Sequence, residues 1–70
     1  MMSGEFAEGS VESFDDAAGL GTVLLDDGTR VPFHCGSIAD GTRRIETGIR
    51  VRVRLAFRVA RVEAVDIEGL

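Results

Sequence analysis

The chain has no lysine, no tryptophan and no tyrosine, and it has one proline, one cysteine and one histidine among 70 residues. Each shortage excludes something. A single cysteine, Cys35, closes no internal disulfide, and with His34 alone beside it no four-ligand zinc site can be assembled. Cys35 therefore reads as a small, half-buried apolar side chain, and no metal or cofactor is expected. Four phenylalanines (Phe6, Phe14, Phe33 and Phe57) are the whole aromatic complement. No apolar run approaches the length of a membrane span, so no membrane partner is expected. The opening MMSGEFAEGS lacks the basic and apolar regions of a signal peptide, which makes a cytoplasmic location the expectation. No nucleophile–base pair or pair of carboxylates in a cleft is legible, and a chain of this length leaves little room for a pocket with a lid. An enzyme is not expected.

What is present is charge, unevenly placed. Residues 1–35 carry seven acids against Arg30, a balance of −6, while residues 36–70 carry seven arginines against five acids, a balance of +2. Arg50, Arg52 and Arg54 are spaced two apart and share one face of a strand. Three like charges in that arrangement repel one another and favour anionic company. Phosphate is one candidate, with Arg43, Arg44, Arg58 and Arg61 nearby. The carboxylates of an acidic protein partner or of a second copy are another, and a plainly solvated face is the third.

The apolar residues alternate with period two over most of the length, which predicts strands. A first strand fits Ala7–Phe14, and DDAAG after it supplies turn chemistry. LGTVLL is a second strand, with Val23 and Leu25 on one face and Leu20, Thr22 and Leu24 on the other. DDGT closes a hairpin, because Asp-Gly readily takes positive φ. RVPFHC is a third strand, with Val31 and Phe33 inward and Pro32 and His34 outward; a proline in mid-strand predicts a local irregularity. One helical turn is expected around Ser37–Asp40. GIRVRVRLAFRVARVEAVDI forms two more strands with a turn near Phe57–Arg61. Val11, Val23, Leu25, Val31, Phe33, Val51, Val53, Leu55 and Ile67 are the expected core, and Phe57 is expected to pack. Residues 1–7 read as a flexible N-terminal segment and 8–70 as one domain. Five short antiparallel strands leave too many edges for an open sheet, so an all-β, five-stranded barrel of OB type is expected, with an SH3-like barrel as the runner-up.

GSVESFDDAAGLGTV resembles the opening of the bacterial cold-shock protein family, G-T-V-K-W-F-N-x-x-K-G-F-G-F-I, at Gly9, Val11, Phe14, Gly19, Gly21 and Val23. VPFHCGSI is similar to that family's V-F-V-H-x-S-A-I at Val31, His34 and Ile38. TGIRVRVRL resembles its fourth strand and EAVDI its last, through Ala64 and Ile67. The resemblance spans roughly residues 8–67. It implies an OB-type barrel that binds single-stranded RNA or DNA by stacking bases on rings of adjacent strands. At the family's binding positions this chain offers Phe14, Leu20, Thr22, Pro32 and His34. Glu12 and Ser13 stand in place of a lysine–tryptophan pair, Leu20, Thr22 and Pro32 in place of phenylalanines, and Cys35 in place of a further aromatic. A ring–base stack is worth about 1–3 kcal/mol, so the resemblance implies binding that is weak, or moved to the basic face at Arg50, Arg52 and Arg54. The alternative is a protein-interaction module on the same barrel that has lost nucleic acid.

Overall fold

The computed structural model describes residues 5–38, 45–58 and 61–70. Five strands form a single antiparallel sheet: β1 (Glu5–Asp15), β2 (Leu20–Leu25), β3 (Arg30–His34), β4 (Arg50–Arg58) and β5 (Arg61–Gly69). Their order in space is β3-β2-β1-β4-β5. The first three strands form a meander, and β4 returns to lie beside β1, which is a Greek key. The sheet is not closed by a β3–β5 ladder. Nevertheless β5 approaches β3, and Ile38 bridges Ile67 just past the end of β3.

Local chemistry sets the connections. The Asp15 carboxylate accepts from the amides of Ala17 and Ala18 and shapes the β1–β2 turn. Between β2 and β3, Asp27 accepts from the Thr29 amide at 2.9 Å, and Gly28 takes φ +92°, a conformation that costs a side-chain-bearing residue most. After β3 a short 3-10 turn, Cys35–Ser37, occupies part of the stretch where one helical turn is expected. Asp40, Arg43, Arg44 and the Val59–Ala60 link between β4 and β5 lie outside the described residues.

Val11, Val23, Leu25, Val31, Phe33, Val51, Val53, Ala64 and Ile67 form the buried cluster, with Leu55 only partly covered at its margin. Two bulges explain how period-two strands deliver these residues. Between Val11 and Ser13 the β1–β2 register slips by one residue, leaving Glu12 unpaired. Strict alternation from Val11 would turn Phe14 outward; the extra residue reverses that and points Phe14 at Gly21 and the core. The second slip lies opposite Arg52–Arg54, at Asp66, whose φ is +51°. It allows Ala64 and Ile67, of opposite parity, both to face inward.

Three expectations are corrected. Pro32 causes no irregularity, because the register runs unbroken through Thr22↔Pro32. The amides of Leu25 and Cys35 donate to Thr29 and Gly19, so odd-numbered β3 residues face β2 and the nitrogen of Pro32 faces the outer edge. No ladder bond is lost there. Cys35 is buried rather than half-buried. Phe57 does not pack: it is 72% exposed. In addition, β1 takes in Glu5, Phe6 and Ala7, which pair with Leu55, Arg54 and Val53, so strand pairing begins inside the segment read as N-terminal tail.

Candidate nucleic-acid interface

The outer face of β2 and β3 is built from direct cross-strand pairs. Leu20 lies opposite His34 and Thr22 opposite Pro32, while Leu24 lies opposite Arg30. These positions have the parity opposite to Val23, Val31 and Phe33, so they point away from the core. Leu20 is 53% exposed, His34 is exposed, and Thr22, Leu24 and Pro32 are half-buried. The sheet thus gathers four of the five residues expected at the family's binding positions. The fifth, Phe14, is on the other side, where its ring stacks on Phe33 at 5.7 Å between centroids and 5° between planes.

Gly21 makes this arrangement fit. A Cβ there would lie 2.5 Å from Phe33 Cζ and 2.6 Å from the Ser13 carbonyl oxygen, so no side chain can be accommodated. The glycine lets the Phe33 ring slide beneath β2 and receive Phe14. The glycine-rich motif here serves packing.

His34 holds a defined orientation. Its Nδ1 accepts from the Gly36 amide at 3.1 Å and caps the 3-10 turn, with Cys35 Sγ 4.0 Å away. With Nδ1 engaged as an acceptor, the neutral ring carries its proton on Nε2, so that atom is the donor this ring has for a ligand. At the border of the face, Arg30 Nε donates to both oxygens of Glu12 at 2.9 Å. The face therefore offers apolar and hydroxyl surface plus one imidazole, and Arg30 at its border is occupied by an acid.

The arginines of β4 are engaged as well. Arg50 makes a bidentate pair with Asp26 at 2.6 and 2.9 Å, and Glu8 stands 3.8 Å away. Arg52 meets Glu68 at 3.4 Å and lies over the Phe6 ring at 5.2 Å, opposite Glu8 in the register. Arg54 meets Asp66 at 2.7 Å. The anionic company that three aligned arginines favour is supplied by this chain. Hydrogen bonding to Arg50 holds the Asp26 carboxyl below its usual range, and the same pair raises Arg50. Asp27 is likewise lowered, by the Thr29 backbone amide first. A phosphate arriving at Arg50, Arg52 or Arg54 meets a carboxylate already in place beside each cation.

Phe57 is the exposed feature that sequence reasoning missed. Phe57 has the parity of Val51 and Val53, the buried residues of β4, and was expected to pack, yet it is 72% exposed. Its direct partner is Val62 on β5, itself 40% exposed. Among the described residues no group of three or more His, Cys, Asp or Glu could hold a metal ion. No described helix is long and apolar enough to cross a membrane. No protein-family model matches the chain, and no curated protein matches it.

Proposed function

We propose that this chain is a non-catalytic module that binds single-stranded RNA or DNA weakly, on the outer face of β2 and β3 of a small OB-type barrel. The observation that carries the reading is the pairing of Leu20 with His34 and of Thr22 with Pro32 on one exposed face. These are the positions where the cold-shock resemblance expects base-contacting side chains on adjacent strands. The Greek-key order and the approach of β5 to β3 favour an OB-type barrel over an SH3-like one. Single-stranded binding needs flat or apolar platforms and cations that follow the backbone. Here the platforms are reduced to Leu20, Pro32 and the His34 ring, and Arg30, Arg50, Arg52 and Arg54 are paired with acids of the chain, so affinity is low and few counterions are released.

A fluorescence-anisotropy titration with labelled oligothymidine and mixed-sequence RNA tests this. The expected result is saturable binding at low salt, a shallow salt dependence, and loss on His34→Ala or Leu20→Glu. A flat titration at low salt would overturn the reading.

The pairing of the arginines supports a second reading, a protein-interaction module. With Arg30, Arg50, Arg52 and Arg54 paired to acids of the chain, the molecule presents Leu20, Leu24 and Pro32 as an apolar patch suited to a protein partner or to self-association. Under that reading Leu20→Glu abolishes a protein complex or a dimer seen by sedimentation, while oligonucleotides bind neither form.

A further inference from the structure

Glu12 and Arg30 meet across an intervening strand. Arg30 opens β3 opposite Leu24 of β2. Glu12 is the extra residue of the β1 bulge, between Val11, which faces Val23, and Ser13, which faces Thr22. Since β1 and β3 flank β2, they stand about 9–10 Å apart, and only two long side chains can join them. Arg30 Nε donates to both Glu12 oxygens at 2.9 Å. The pair therefore crosses the outer face of β2 beside Thr22 and Leu24, both half-buried, and leaves Leu20 and His34 open. One N–H group holds the carboxylate, and among the described residues the two Nη groups of Arg30 have no hydrogen-bond partner. The Arg30 side chain is 63% exposed, against 48%, 49% and 38% for Arg50, Arg52 and Arg54. It is the most open of these four cations, and an exposed pair of this kind adds little to stability.

We propose that the Glu12–Arg30 pair is a self-masking strap on the β2–β3 face: Arg30 is the cation that meets the phosphates of a bound single strand, and Glu12 holds it back. The proposal rests on the nucleic-acid reading above and adds the regulation of that same site. A strand lying on Leu20, Pro32 and the His34 ring needs a cation within reach of its backbone. Arg50, Arg52 and Arg54 are on β4, beyond β1, whereas Arg30 is on β3 itself and spans β2. The two unpartnered Nη groups give phosphate a first foothold while Glu12 is still in place. Full engagement puts phosphate where the carboxylate stands, and the two anions repel. Neutralising Glu12 therefore opens the face without adding a contact.

A double-mutant cycle of Glu12→Gln, Arg30→Gln and the two together tests this, read by anisotropy of labelled oligothymidine across a salt series. Glu12→Gln is expected to tighten binding roughly 2- to 5-fold. It should also steepen the log–log salt dependence by about 0.7, the slope of one phosphate contact on a single strand. In the Arg30→Gln background the same change should lose most of that gain. Thermal midpoints should move little in all three variants, because both side chains lie on the surface. A full gain that survives without Arg30 would mean that Glu12 acts by plain repulsion of phosphate, and the strap is overturned. Unchanged or weaker binding by Glu12→Gln, with the wild type binding, overturns the strap and leaves the nucleic-acid reading standing. If neither the wild type nor Glu12→Gln binds, the nucleic-acid reading fails with it.

Discussion

The outer surface of one sheet carries two unlike halves. Across β1, β4 and β5, charges alternate in sign from strand to strand: Glu8 opposes Arg52, Arg52 opposes Glu68, and Arg54 reaches Asp66. Across β2 and β3 the outward row is Leu20, Thr22 and Leu24 against His34, Pro32 and Arg30. The first half satisfies itself, while the second leaves apolar surface in water with no internal partner for it. Density of charge therefore does not mark an unpartnered surface here, since Arg50, Arg52 and Arg54 each have a carboxylate of this chain beside them.

Changes beneath and upon the two halves should separate them, starting with the largest effect. Gly21→Ala pushes a methyl into the Phe33 ring and the Ser13 carbonyl, so a loss of about 1–3 kcal/mol in urea unfolding is expected. Gly69→Ala, under the charged half, has nothing within 4 Å and should change stability by less than about 0.5 kcal/mol. Equal costs at the two glycines would erase the distinction in packing.

Charge reversal comes next. Arg52→Glu places an acid between Glu8 and Glu68 and removes the cation from the Phe6 ring, which should cost about 1–2 kcal/mol and be partly relieved by salt. Thr22→Glu on the open half meets no such row and should stay within about 0.5 kcal/mol by the same unfolding measurement.

The smallest effect concerns acid. Asp26 and Asp27 both have folded values below that of an unfolded aspartate, which titrates near 3.8. Their contribution is thus present above that value and lost as pH falls through the lower folded values. Asp26→Asn should flatten the decline of thermal midpoint below about pH 4. Because Asp26 acts through Arg50 and Asp27 through a backbone amide, high salt should reduce the first contribution more than the second.

The strands and most of the core were legible because alternation and the Asp-Gly turn are local signals. Val11, Val23, Val31, Phe33, Val51 and Val53 follow from them directly. The bulges at Glu12 and Asp66 were not legible, since one extra residue leaves no compositional mark yet reverses every side chain after it. That is why Phe14, which the resemblance places among the binding positions, lies instead on the core side against Phe33. The partners of Arg50, Arg52 and Arg54 depend on β4 lying between β1 and β5, a non-local arrangement that pattern within one strand does not encode. Phe57 shows the remaining gap: alternation gives the direction of a side chain but not whether anything covers it.

The central claim is that binding belongs to the β2–β3 half and not to the arginine row of β4. Amide chemical-shift mapping during titration with oligothymidine at low salt tests it most directly. The account predicts shifts centred on Leu20, Thr22 and His34, with the amides of Arg50, Arg52 and Arg54 unmoved. Shifts concentrated on Arg50, Arg52 and Arg54, with Leu20 and His34 unchanged, would contradict it.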